Sequence, residues 1–213
     1  MATLTMARRT GEHILSEANG TRSREQIVIA TGSGVLQAGT VLALITAANA
    51  ATATAAAGND STASLGTITV SNEANTGTYT LAVTAAAAGE SPATFTVTAP
   101  DGATANGSAG VAFNALGLSF TLTDGLTTGA VAANDAWTIA VQAGLGQYVP
   151  YDNDGTNDGR RTATAVLYAG VDATRADVAA VAHVRDCEVA ESLLTGIDAA
   201  GITELAAAGV IVR

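Results

Sequence analysis

The sequence predicts a mainly β protein: a small β-rich domain with one short C-terminal helix, interrupted by an inserted immunoglobulin-like β-sandwich. Three observations point there. Residues 64–142 alternate apolar and small polar side chains with period two, as half-buried strands do. Every basic residue is an Arg, and all of them lie at or before Arg24 or at or after Arg160, so the middle of the chain differs in composition from its flanks. Aromatic residues are 4% and charged residues 13%, so the core must be built from Ala, Val, Leu and Ile and the surface must rely on Thr, Ser, Asn and Gly. That composition suits strands better than solvated helices.

Taken in order, residues 1–26 are polar apart from Ile14-Leu15 and read as an extended arm, mobile on its own. Residues 27–57 form the first segment of the flanking domain. Short strands are expected at Ile27–Ile29 and Val41–Ile45, set off by Gly32, Gly34 and Gly39. The Ala/Thr tract from Ala47 to Gly58 reads as a linker or an extended lead-in, since Thr52 and Thr54 disfavour a helix.

The inserted domain spans 58–142. Strands are expected at Ile68–Val70, Tyr79–Val83, Phe95–Val97, Phe120–Leu122 and Trp137–Val141. Turn signals stand at Asn75-Thr76-Gly77, Pro100-Asp101-Gly102, Asn106-Gly107 and Asp124-Gly125. Phe95, Phe113, Phe120 and Trp137 are the expected core, and the ends of the insert should lie close together.

Residues 143–213 return to the flanking domain. Tyr148–Tyr151 reads as a strand, placed at a sheet edge by Pro150. Asp152–Gly159 is a polar turn, and Thr162–Tyr168 and Asp177–Val189 read as strands. A weak helix at Ile202–Ala208, capped by Asp198 and ended by Gly209, precedes a closing strand at Val210–Val212.

Charge and composition exclude several function classes. A formal net charge of −10 with no basic stripe argues against nucleic acid and against an anionic membrane surface. The lone Cys187 cannot form an internal disulfide, so the fold must hold by packing or oligomerisation. No apolar leader follows Arg8-Arg9, and Ala47–Ala57 is too short and weakly apolar to span a bilayer, so a soluble protein, intracellular when made, is expected.

No catalytic set stands out. Asp152, Asp154 and Asp158 could wrap Ca²⁺, but Arg161 stands where a calcium loop needs its bidentate Glu, and a turn-rich hairpin loop explains the run as well. His183 and Cys187 are four apart but lack a second ligand pair for zinc. Thr31-Gly32-Ser33-Gly34 lacks the Lys and spacing of a phosphate loop. No enzyme, metal or cofactor is expected.

Several stretches, in order, resemble the lambda-type bacteriophage head decoration proteins. They are Gly11–Gly20 with Arg22–Glu25, Leu36–Leu42, Tyr148–Asp152, Ala165–Tyr168, Val171–Thr174, Val184–Asp186 and Gly209–Arg213. The resemblance covers about half the chain; roughly Gly58 to Val141 has no counterpart in compact members. It implies a homotrimeric capsid cement protein on the outer surface of the expanded virion shell, with the major capsid protein as partner and the host cytoplasm as the place of assembly. It also implies that the arm reaches the capsid, with Arg8, Arg9, His13, Ile14, Leu15, Arg22 and Arg24 as the contact residues. Four arginines on an otherwise acidic chain would suit an acidic capsid surface. The alternative is a tail or fibre adhesion module with a carbohydrate-binding β-sandwich, and a weak host-surface or glycan contact through the insert is left open.

Overall fold

The computed structural model describes residues 8–88, 91–123 and 131–213. The turn expected at Asp124-Gly125 and the first seven residues of the arm lie outside these. The chain divides into two compact units, one of residues 1–47 with 145–213 and one of residues 48–144.

In chain order the first unit begins with β1 (Ile14–Glu17), β2 (Arg24–Ile29), β3 (Gly34–Leu36) and β4 (Val41–Leu44). The second unit follows with β5 (Ala50–Ala55), β6 (Thr69–Val70), β7 (Gly77–Ala85), β8 (Thr94–Thr98), β9 (Thr104–Ser108), β10 (Ala112–Ala115), β11 (Leu118–Thr121) and β12 (Ala136–Gln142). The chain then returns through β13 (Tyr148–Pro150), β14 (Ala163–Leu167), β15 (Val171–Ala173), β16 (Val178–His183), β17 (Cys187–Val189), the helix α1 (Ala199–Ala208) and β18 (Val210–Val212).

The first unit is built on a closed barrel in the order β13-β2-β16-β14-β4, with β4 pairing back onto β13. Closure leaves the barrel no open edge. Its strand β4 is apolar throughout because both faces are covered. Leu42 packs with Ile27, Ile29, Ala165 and Leu167, while Val41 and Ala43 pack with Val166, Val189, Leu205 and Val210. The helix α1 lies over β14 and β18. The Asp198 carboxylate caps it by accepting the Gly201 N–H at 2.7 Å, and Gly209 ends it at φ +89°, a left-handed turn that favours glycine. A three-stranded sheet, β1-β17-β18, and a ribbon, β15-β3, complete the unit.

Two expectations for this unit are corrected. Residues 8–26 are not a free arm: β1 pairs with β17, and β2 pairs along its length with β16. His13 and Ser23 are buried, His13 against His183 and Ser23 donating to Glu17, so polar residues that look solvated in sequence lie inside the fold. Pro150 is not at a sheet edge but in the barrel. On the β2 side the β13 ladder is confined to Tyr148 opposite Ile29, so the missing N–H of Pro150 leaves no ladder bond unmade. The apolar stretch Asp177–Val189 also divides into β16 and β17 about a break at Asp186, where φ is +50°.

The second unit has two antiparallel sheets, β5-β12-β7-β8-β9 and β10-β11-β6, sharing one core. Phe95, Phe113, Phe120 and Trp137 are buried in it, with Tyr79, Leu81 and Ile139. The three Phe rings cluster with centroids 4.9–6.1 Å apart. Aromatic rings at such spacing add attraction beyond their area. The Ala/Thr tract is the strand β5, paired along β12 from Ala55 opposite Trp137 to Ala50 opposite Gln142. Entry and exit of the unit are therefore neighbours, and the tract belongs to the second unit, not to a linker. The expected turn at Asn106-Gly107 instead lies within β9. Gly107 is there for space, because a Cβ at that position would stand 2.4 Å from the Phe95 ring.

Candidate functional site

The most developed polar arrangement lies where the N-terminal segment meets the barrel of the first unit. Ahead of β1 the backbone turns at Gly11, whose N–H donates to the Tyr168 carbonyl at 2.9 Å. That turn directs His13 inward, where it is 1% exposed. Its Nε2 lies 3.4 Å from His183 Nδ1, with the rings edge to face. Strand register supplies the other members. His183 stands opposite Arg24 between β16 and β2, and Glu17 opposite Cys187 between β1 and β17.

Glu17 is the hub. Its Oε2 accepts from Ser23 Oγ and from Arg24 Nε, each at 2.9 Å, and lies 3.3 Å from His183 Nε2. Arg24 Nη2 also donates to Oε1, giving a bidentate pair, and the guanidinium lies 4.2 Å over the Tyr168 ring. Hydrogen bonds from Arg24 above all, helped by Ser23 and His183, hold the Glu17 carboxyl down to about 2. Burial lowers His13 to about 4, aided by the His183 and Arg8 charges. Burial also lowers His183, opposed by its bond to Glu17. Burial raises the Cys187 thiol to about 11, so it stays protonated and unreactive at neutral pH. The arrangement can hold and exchange protons but presents no activated nucleophile.

The other residues expected to reach a partner are placed as follows. Arg8 donates to the Leu193 carbonyl and to Thr195 Oγ1, and Arg22 pairs with Asp186 at 2.9 Å on the surface. Arg9 is exposed, Ile14 is half-buried and Leu15 is 56% exposed. The structure thus draws Arg8, His13 and Arg24 into the unit and leaves Arg9, Leu15 and Arg22 outward. Sequence reasoning missed Glu17 and Tyr168; the only signal was that Glu17 follows His13 by four and Arg24 follows Glu17 by seven.

Among the described residues no three His, Cys, Asp or Glu side chains gather to hold a metal. In the acidic loop, buried Asp158 is already taken by Arg160, whose Nε and Nη2 donate to it at 2.8–3.1 Å. An open groove of about 630 Å³ runs along β2 and β16, lined by Val28, Tyr148, Tyr168, Val171 and Ala180. In the second unit one row of threonines, Thr54, Thr138, Thr80, Thr98 and Thr104, crosses all five strands of the larger sheet. All five aromatic side chains of that unit, Tyr79, Phe95, Phe113, Phe120 and Trp137, are buried.

Among curated proteins no relative matches. Two crystal structures of Xanthomonas campestris FlgL share 24% and 22% identity with the chain, over 48% and 52% of it. The chain covers only 31% and 33% of those structures, with a TM-score of 0.34 in each, so that likeness carries no argument. A family model, by contrast, matches residues 3–210, from the N-terminal segment through both units to the start of β18. That span includes the segment that builds the His13–Glu17 arrangement and the barrel that receives it, and by it the chain belongs to the bacteriophage lambda head decoration protein D family.

Proposed function

We propose that the protein decorates the outer surface of a bacteriophage head, binding the major capsid protein as a homotrimer and stabilising the expanded shell. The observation that carries this reading is the family match over residues 3–210. The first unit makes the contacts. Its surface leaves Leu15, Val35 and Ile211 exposed, and among the described residues β1 is an edge strand with no strand paired on its outer side. Leu15 and the edge of β1 meet the capsid protein, with Arg9 and Arg22 alongside. The adhesion reading is weaker, because sugar sites rely on exposed aromatic faces and every aromatic of the second unit is buried.

The test adds purified full-length protein to expanded, undecorated capsids. Saturable binding in multiples of three, with capsids more resistant to heat, is the expected result. A Leu15→Asp variant with an unchanged circular dichroism spectrum should bind at least tenfold more weakly. Failure of the unaltered protein to bind overturns the proposal, and full binding by Leu15→Asp removes β1 from the contact.

A further inference from the structure

We propose that the His13–His183 pair is an acid-released latch that governs whether the N-terminal segment, residues 8–17, stays docked on the barrel unit. This goes beyond the capsid reading and does not rest on it.

The proton positions follow from the geometry. The Glu17 carboxylate, ionised beside Arg24, can only accept, so His183 Nε2 carries a proton and donates to it across 3.3 Å. Neutral His183 then offers a bare Nδ1. His13 Nε2 must therefore carry the proton between them and donate across 3.4 Å. That leaves His13 Nδ1 as a lone pair, and this nitrogen is buried with no hydrogen-bond partner among the described residues. One directed chain runs from His13 through His183 to Glu17.

A further proton has two places to land and neither is accommodated. On His13 Nδ1 it creates a buried N–H cation without an acceptor, with the positive charge of Arg8 on the same segment. On His183 Nδ1 it sets two N–H groups against each other, or else forces the His13 proton onto Nδ1, where a buried N–H finds no acceptor among the described residues. The groups facing the pair give no relief. They are Arg8 from the N-terminal segment, Glu17 from β1, Arg24 from β2, Tyr168 after β14 and Cys187 from β17. Glu17 is the one anion among them, and Arg24 and Ser23 already share it. The proton is taken up when His13 leaves.

The topology permits that departure without opening the barrel. β1 is the edge strand of its three-stranded sheet, whereas β2, β4, β14 and β16 are locked in the closed barrel. His13 moves with the segment and His183 stays on β16. Burial holds His13 near 4, below its ordinary value of 6.5, so release operates as pH falls between the two.

The test is amide exchange on the full-length protein, corrected for the intrinsic pH dependence of exchange. Gly11, Ala18 and Ala190 report the latch, since their N–H groups bond to Tyr168, Asp186 and His13 carbonyls. Leu167 and Tyr151, bonded to Thr40 and Val41, report the barrel. Below pH 6.5 the latch amides should lose about tenfold protection per pH unit, as uptake of one proton requires, and at every pH they should exchange faster than the barrel amides, whose exchange waits on opening of the whole unit. His13→Gln, which cannot take up a proton, should abolish the slope. If that variant does not fold, imidazole nitrogen shifts of the unaltered protein decide, with Nε2–H neutral forms expected for both rings at pH 7. A flat latch response, latch amides no less protected than Leu167 and Tyr151, a slope that persists in folded His13→Gln, or an Nδ1–H form of His13 overturns the proposal.

Discussion

The Glu204 carboxylate accepts the backbone N–H of Ala163 at 2.7 Å, tying α1 to the barrel strand β14. Ala163 opens β14 beside a register shift in its ladder with β4, so its N–H takes a side-chain acceptor. Glu204→Ala should lower the stability of the first unit by about 1.5–3 kcal/mol, as loss of a charged acceptor from a backbone donor does. Glu204→Gln keeps a carbonyl acceptor and should lose less. Urea unfolding followed by circular dichroism checks this, with Trp137 fluorescence reporting the second unit separately and staying unchanged.

Acid should weaken the first unit in two stages. His13 binds its proton near 4 when folded and near 6.5 when unfolded, so the unfolded chain holds more protons between those values. Its contribution is complete above pH 6.5 and falls by about 3 kcal/mol as pH drops to 4. Glu17 is held near 2 against 4.5, so its contribution is complete above pH 4.5 and is lost as pH falls through 2. Urea midpoints at pH 7.5, 5.5, 4 and 2.5 measure both stages. An unaltered midpoint from pH 7.5 to 4 would contradict the first.

A fragment of residues 48–144 should fold alone with Trp137 buried, because its core is drawn from that unit's own strands. A fragment of residues 58–142 lacks β5 and should be markedly less stable and prone to self-association. Removing β5 bares the edge of β12 from Trp137 to Gln142. Thermal melts and tryptophan emission of the two fragments make the comparison.

Truncation to start at Gln26 should unfold the first unit rather than merely release an arm. It deletes buried His13 and Ser23, all of β1, Arg24, and the Glu17 side chain that together with His13 satisfies His183. Amide spectra of the truncated and full-length proteins make the comparison, and native folding of the truncated chain would refute the anchoring role of the segment.

Particular residues show what was legible in the sequence. The alternating runs at Tyr79–Val83 and Trp137–Val141 fall inside β7 and β12, with their apolar members buried. Asp198 and Gly209 bracket α1, though the helix starts at Ala199, three residues before the apolar pattern suggests. Asn106-Gly107 carries a turn signature yet lies in a strand, because Phe95 claims the space a side chain there would need. Of the candidate contact residues, Leu15 stands exposed, and nothing local distinguishes exposed Arg9 and Arg22 from Arg24 in its bidentate pair.

By itself the sequence determined the β class, the aromatic core of the second unit and the capped helix. Each depends on periodicity or capping within a few residues, where spacing alone decides which side chains share a face. Only the tertiary structure decided that β4 and β13 close a barrel, that the Ala/Thr tract is a strand of the second unit, and that the N-terminal segment is docked. The His13–His183 pair shows why. The two rings lie 170 residues apart in the chain, and their meeting is set by how β1, β2 and β16 are brought together. A polar residue looks the same in sequence whether water or a distant carboxylate satisfies it, and burial is what separates the two.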